Sequence, residues 1–110
     1  MEKLSYVFHG GQALRHRHVP VVVGVVGSGN LEVLVEQASL GGECHVHVVT
    51  AAIGFGAIWQ AVLTDFFARH SLADVRFSIN DVGATPAVVS LRLDQAVQKF
   101  IAGHGTGGSP

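Results

Sequence analysis

In residues 74–80 every second side chain is apolar, which places Val75, Phe77 and Ile79 on one face of a predicted β-strand. Residues 31–36 show the same period of two, and the glycine-rich link before them predicts a hairpin with the preceding valine run. A chain with this pattern has to bury one face of a sheet against other elements. Further strands are expected at 20–26 and 44–49, and residues 3–8 are expected to form either a short first strand or an extended arm.

Two longer segments change from this period of two to helical spacing. Residues 57–70 are predicted to form an amphipathic helix, because their apolar side chains recur every three or four positions. In residues 85–101, Thr85 followed by Pro86 is typical of an N-cap with proline in the first helical position. Residues 89–94 also alternate with period two, so a strand is the alternative there. The cap and the length of the segment favour a helix.

The balance of residue types supports one folded domain. Hydrophobic residues make up 48% of the 110-residue chain and charged residues 14%, which excludes a disordered chain. We predict an α+β fold, an antiparallel sheet of about four strands with two helices packed on one face. Residues 1–102 are expected to form this single domain, and residues 103–110 a flexible glycine-rich tail.

Charge and cysteine content exclude several classes of protein. The formal net charge of −1 leaves no basic field for nucleic acid and no polybasic membrane patch. The longest apolar run, residues 21–26, is far too short to span a bilayer, and the first 20 residues lack an apolar signal-peptide centre. The single cysteine, Cys44, cannot form an internal disulfide. A cytoplasmic protein is therefore expected.

The predicted hairpin link contains Gly27, Ser28, Gly29 and Asn30. Glycine on both sides leaves the Ser28 hydroxyl uncrowded and permits a projecting turn. No histidine or lysine is adjacent in sequence to take its proton, so Ser28 is a poor self-activated nucleophile. By local pattern alone these are ordinary turn residues. They form no nucleophile elbow, because the Gly-x-Ser-x-Gly spacing is missing and a strand follows.

The histidines offer a second candidate site. His45 and His47 lie two apart on one predicted strand and share a face, and His16 and His18 could complete a four-nitrogen metal site. No cysteine or carboxylate pattern reinforces it, so we predict no metal site. Residues 15–18 form a small cationic loop that could meet a phosphate or an acidic partner, but the pattern favours a solvated loop.

Four segments together resemble one family. Residues 25–34 resemble the prosthetic-group site of the malonate decarboxylase acyl carrier, or delta, subunits, and residues 80–89 resemble the second signature of that family. The likeness extends over about residues 3–101. Thr85 and Pro86 are closer to this family than to the related citrate lyase carrier (gamma) subunits. Asn30 departs from it, since an aspartate is expected there in much of the family. Residues 91–95 and the pair Trp59 and Gln60 continue the match.

The resemblance implies a carrier without catalytic residues of its own. Ser28 would carry a covalently bound 2'-(5''-phosphoribosyl)-3'-dephospho-CoA group through a phosphodiester, with Gly27, Gly29 and Asn30 around it. The terminal thiol would hold acetyl or malonyl. The implied partners are the acyltransferase and decarboxylase subunits and a holo-carrier synthase, the transferase that attaches the prosthetic group. A citrate lyase carrier, a non-carrier interaction module and a small metal-binding protein are the alternatives.

Overall fold

The structure, a computed structural model, describes residues 1–27 and 29–103. In this part of the chain a five-stranded sheet has the order β1-β5-β7-β4-β3, and a separate two-stranded sheet joins β2 to β6. Two helices complete the fold. The strands are β1 (Glu2–Phe8), β2 (Gln12–Ala13), β3 (Val21–Gly24), β4 (Asn30–Gln37), β5 (Cys44–Thr50), β6 (Leu72–Ala73) and β7 (Val75–Val82); the helices are α1 (Gly56–Arg69) and α2 (Pro86–Ala102).

The α+β class with two helices is confirmed, and the sheet differs from the prediction in two details. It has five strands, and β5 pairs with β7 in parallel while the other three pairs are antiparallel. The parallel pair results from the connection between β5 and β7. Because α1 carries the chain back to the end of the sheet where β5 begins, β7 runs in the same direction as β5. The predicted hairpin of β3 and β4 is confirmed.

Both helices lie on one face of the sheet, as predicted. Side chains at alternate positions of the central strands, including Val33, Val46 and Phe77, form one buried cluster with Leu63 of α1 and Leu93 of α2. Each of these five side chains is at most 1% exposed. At about 1.5–3 kcal/mol for each large apolar side chain, this burial is the main stabilising contribution to the fold.

The strand β3 is shorter than the predicted 20–26. It ends at Gly24, whose φ of +89° lies in the left-handed region that favours glycine. The backbone bends there, so Val25 and Val26 leave the sheet and are exposed. A β-carbon at position 24 would overlap the carbonyl oxygen of Leu31 on the neighbouring strand, which is why glycine is needed at this bend.

The predicted cap of the second helix is confirmed. The Thr85 hydroxyl accepts a hydrogen bond of 3.3 Å from the backbone N–H of Val88, and Pro86 occupies the first helical position. The helix therefore prevails over the alternating pattern of residues 89–94. No helix in the described part of the chain is long and apolar enough to cross a membrane. The predicted tail lies outside the described residues from position 104 onward.

Candidate functional site

The segment that joins β3 to β4 contains the predicted attachment residue. We call residues 25–29 the serine loop; Ser28 itself lies outside the described residues, and its neighbours define the site. The loop lies at the end of the sheet where β5 and β7 also terminate, because β4 begins at Asn30 and Asn30 pairs with Val82. The helices α1 and α2 both begin at this end, after the loops that follow β5 and β7.

Backbone hydrogen bonds hold the described parts of the serine loop to the sheet. The N–H of Gly29 donates to the carbonyl oxygen of Val82 at 2.8 Å, and the N–H of Asn30 donates to that of Gly27 at 3.0 Å. The second bond closes the four-residue segment 27–30, in which Ser28 is second by sequence. Gly29 has a φ of +73°, which a residue with a β-carbon adopts only with strain. The glycine after the serine therefore has a conformational role.

The described residues on both sides of position 28 face open space. A β-carbon added at Gly27 or at Gly29 would meet no atom within 4 Å. Val25 and Val26 are 64% and 55% exposed, although valine is usually buried. The loop thus combines a backbone anchored to the sheet with apolar side chains that contact solvent. This is the arrangement expected of a segment that meets another molecule.

Asn30 connects the serine loop to α2. Its side-chain oxygen accepts a hydrogen bond of 2.8 Å from the N–H of Leu31 and one of 3.2 Å from Nε of Arg92. A second nitrogen of Arg92, Nη1, donates to Gln95 at 3.1 Å. The guanidinium is therefore held beside the first residue of β4 by two neutral acceptors.

The second signature segment has a structural role beside the loop. Asp81 is only 4% exposed, and its carboxylate accepts hydrogen bonds from the Thr50 hydroxyl at 2.8 Å and from the N–H of Ala84 at 2.9 Å. The first bond ties the ends of the parallel strands β5 and β7. The second fixes the turn through Gly83 that leads into α2. The polar groups of Asp81 are thus used in holding the frame of the site.

An apolar cleft of about 200 Å³ lies next to this turn. Its walls come from the start of α1, including Phe55, Trp59 and Val62, and from the turn and first residues of α2. Gly83, one of its lining residues, directly follows the Val82 carbonyl that anchors the serine loop. The cleft and the loop therefore adjoin.

The structure does not assemble the four histidines considered for a metal site. His45 and His47 lie on the face of the sheet opposite the helices, where His47 contacts Ser5 at 3.1 Å. His18 is buried on the helix side, where its ring lies 5.3 Å from that of Phe100. The sheet separates the two groups. Within the described residues no group of three or more His, Cys, Asp or Glu side chains could hold a metal ion.

The cationic loop at residues 15–18 lies at the far end of the sheet from the serine loop. The N–H of His18 donates to the side chain of Gln37, the last residue of β4, whereas the serine loop precedes the first. A strand of this length separates its ends by about 23 Å. The structure therefore gives this loop no part in the site around Asn30.

Sequence reasoning missed Arg92. The residue lies in the segment 91–95 that matched the family, but nothing in the helical pattern distinguishes it from an ordinary surface cation. Arg92 follows Val89 by three residues and directly precedes Leu93, so it borders the apolar stripe of α2 to which both belong. Contact with Asn30, 62 residues away, depends on the packing of α2 against β3 and β4.

Comparison with known proteins agrees with this geometry. Residues 18–100 match the family model of the malonate decarboxylase delta subunit (MdcD). The malonate decarboxylase acyl carrier protein of Stenotrophomonas maltophilia (strain K279a) is 59% identical over 104 residues, covering 94% of this chain and 98% of the relative. That of Xanthomonas campestris pv. campestris (strain B100) is 66% identical over 97 residues, covering 88% and 92%.

A solved structure gives the same result. The chain is similar to one chain in the crystal structure of a Pseudomonas malonate decarboxylase hetero-tetramer in complex with malonate, with a TM-score of 0.80 and 37% identity. The match covers 91% of this chain and 99% of that chain. The relatives are named as acyl carriers of malonate decarboxylase, which confirms the predicted family and favours it over the citrate lyase carriers. The chain belongs to the malonate decarboxylase delta-subunit family, whose members are acyl carrier proteins rather than catalytic subunits.

Proposed function

We propose that this chain is the acyl carrier subunit of a malonate decarboxylase and that the Ser28 hydroxyl is joined through a phosphodiester to 2'-(5''-phosphoribosyl)-3'-dephospho-CoA. When bound, this group supplies a terminal thiol that holds acetyl or malonyl as a thioester. The observation that carries the proposal is that the described residues on both sides of position 28 face open space and are joined to the sheet by backbone hydrogen bonds. The named relatives support it.

The described residues around the loop fit such a group. The open space beside Gly27 and Gly29 leaves room for a nucleotide linkage. Arg92 provides a cation whose planar guanidinium suits a phosphodiester. Arg69 and Arg76 each lie within 4 Å of a carboxylate, whereas no described carboxylate lies that close to Arg92. Its charge is therefore available to an incoming phosphate.

The carrier itself contributes attachment and presentation. The residues adjacent to Ser28 in sequence include no base, so the holo-carrier synthase has to supply the group that accepts the hydroxyl proton. Acyl exchange and decarboxylation belong to the acyltransferase and decarboxylase subunits. A covalent tether raises the effective concentration of the acyl group at each of these active sites without a separate binding event.

The exposed valines next to Ser28 suggest how the partners recognise the loop. Val25 and Val26 precede the attachment residue and present apolar surface. We propose that they contact the partner subunits when Ser28 is presented, in an assembly like the hetero-tetramer of the Pseudomonas structure. Small apolar side chains make such a contact possible without a deep pocket on the carrier.

Intact mass spectrometry of the chain purified from its native host tests the proposal. We expect a coenzyme-A-sized adduct on the wild type, mapped by peptide fragmentation to Ser28, and no adduct on the Ser28→Ala variant. Ser39→Ala is the matched control. Ser39 is an exposed loop serine that follows β4, whereas Ser28 precedes this strand in the sequence.

Two results would contradict the proposal. One is an unmodified wild-type mass in a host that contains the loading enzymes. The other is an adduct that persists in Ser28→Ala. Co-purification of the wild type with acyltransferase and decarboxylase subunits would support the malonate assignment, and co-purification with citrate lyase subunits would overturn it.

A further inference from the structure

We infer that the apolar cleft beside the serine loop shelters the acetyl-thioester end of the carrier's own prosthetic arm and excludes the malonyl form. This inference rests on the proposed function. It assigns to the carrier a second site, one that distinguishes the two acyl groups by charge.

The position of the cleft makes it reachable by the arm. Gly29, the residue after Ser28, donates its N–H to the Val82 carbonyl at 2.8 Å. Gly83, which follows Val82, lines the cleft. A group tethered at Ser28 is therefore held at high effective concentration beside the opening. The long arm has enough rotatable bonds to fold back on its attachment point.

The lining determines which part of the arm fits. Phe55, Trp59, Val62 and Val89 present carbon surface, and Asp81 is the one ionisable residue among the described residues that line the cleft. Both carboxylate oxygens of Asp81 already accept hydrogen bonds from within the fold. No buried side-chain polar atom in the described part of the chain lacks a partner.

A cleft lined mainly by carbon disfavours the polar parts of the arm. The adenine ring, the ribose hydroxyls and the pantetheine amides would each lose hydrogen bonds to water that a mainly apolar lining does not replace. The terminal acetyl-thioester, with its two methylene groups, is the least polar end. It has about six heavy atoms, the same number as benzene, and benzene occupies an apolar cavity of about 150 Å³. A cleft of about 200 Å³ is therefore large enough for it.

The malonyl group differs from the acetyl group by one carboxylate. In the cleft that carboxylate would leave water without a cationic partner and would approach Asp81, a like charge. We therefore expect the arm to occupy the cleft in the acetyl form and to leave it in the malonyl form. The acetyl-thioester would be shielded from hydrolysis between turnovers, and the malonyl-thioester would be presented to the decarboxylase subunit.

Trp59 provides a direct readout, because it lines the cleft and is the single tryptophan of the chain. In ¹⁵N-labelled protein its indole N–H gives one resonance. We expect this resonance to differ between acetyl-loaded carrier and bare protein, and to be the same in malonyl-loaded carrier and bare protein. Loading is verified by intact mass on each sample.

Hydrolysis of the acetyl-thioester gives a second readout. If the cleft holds the thioester nine-tenths of the time, hydrolysis in the loaded wild type is about tenfold slower than that of free acetyl-CoA. Ala84→Phe, which fills the cleft, should restore the free rate. Ala87→Phe on the exposed face of α2 is the control and should hydrolyse like the wild type. Val62→Phe fills the cleft from α1 if Ala84→Phe does not fold.

Each outcome is decisive. An indole resonance that is identical in the acetyl and malonyl forms, or wild-type hydrolysis at the free rate, overturns the inference while mass-verified loading leaves the proposed function intact. A failure to load overturns the proposed function itself. If cleft-filling variants lose the partner subunits and the resonance does not respond to the acyl group, the cleft is a subunit contact and the inference is wrong.

Discussion

Nε of Arg92 lies 3.2 Å from the side-chain oxygen of Asn30, so a hydrogen bond joins α2 to the residue that follows the serine loop. The same oxygen accepts the N–H of Leu31 at 2.8 Å. Asn30 is thus held by two donors, and Arg92 is held beside the loop. This relationship suggests that the cation assists attachment of a phosphate-linked group.

We predict that Arg92→Ala slows attachment of the prosthetic group by about tenfold, the equivalent of one charge-assisted hydrogen bond of about 1.4 kcal/mol. The attachment rate of Arg92→Lys should lie between those of Arg92→Ala and the wild type, because lysine restores the charge without the planar guanidinium. The measurement is the time course of the mass adduct with purified synthase. Arg76→Ala, which removes a cation from the opposite face of the sheet, should load at the wild-type rate. Equal rates for all four proteins would contradict the role of Arg92.

A pair of glycine variants tests how the bend at Gly24 supports the loop. Gly24→Ala should reduce the free energy of unfolding by about 2 kcal/mol or more, because φ is +89° and the new β-carbon overlaps the Leu31 carbonyl. Gly27→Ala should change it by less than about 0.5 kcal/mol, since a β-carbon there meets open space. Urea denaturation measures both. A Gly24→Ala variant as stable as Gly27→Ala would show that the bend is dispensable.

The pH dependence of stability should include a contribution from Asp74. Its carboxylate accepts hydrogen bonds from the N–H groups of Leu40 at 3.0 Å and Gly42 at 2.9 Å, and these bonds, led by that from Gly42, lower the pKa of Asp74 below its ordinary value of 3.8. A folded-state pKa below the unfolded one means that the ionised form stabilises the fold. The contribution is complete above about pH 5 and is lost as the pH falls through the folded pKa.

Asp74→Asn isolates this contribution. Asn tolerates the φ of +58° at this position and keeps an acceptor, but it cannot ionise. We expect the wild type to have the higher urea midpoint at pH 7 and pH 5, and the difference to shrink towards zero at pH 3 and below. A constant difference across this range would indicate that the charge of Asp74 is not responsible.

Cys44 should be unreactive in the folded protein. Its side chain is buried, and burial raises the pKa of its thiol to about 12, so that only about one molecule in ten thousand is a thiolate at pH 8. Bare native protein should therefore give no rapid signal with a thiol reagent, and one equivalent after unfolding in guanidinium. Loaded, deacylated carrier should give one rapid equivalent in the native state, from the arm.

The control for this assay is Cys44→Ala. It should retain the rapid signal of the loaded protein and lose the signal that appears on unfolding. Rapid labelling of the bare native wild type would contradict the prediction that Cys44 is unreactive, because it would mean that the thiol is accessible.

The prediction of individual elements from sequence succeeded where local chemistry was sufficient. The alternation of Val75, Phe77 and Ile79 identifies a strand and its buried face, and Thr85 followed by Pro86 identifies the start of α2. These signals are carried by neighbouring residues, so they need no knowledge of the rest of the fold. The boundary of β3 was wrong because the chain bends at Gly24, and glycine is needed there because a β-carbon would overlap the carbonyl oxygen of Leu31 on the neighbouring strand.

The sequence alone determined the family, the two helices, the hairpin and the residue proposed for attachment. Only the tertiary structure decided that β7 lies between β5 and β4 and runs parallel to β5, that Arg92 meets Asn30, and that the cleft adjoins the serine loop. The physical reason is that a period of two specifies which face of a strand is buried but not which strand lies beside it. The order of the strands is established when α1 and α2 pack on the same face of the sheet. This packing brings together side chains that are distant along the chain.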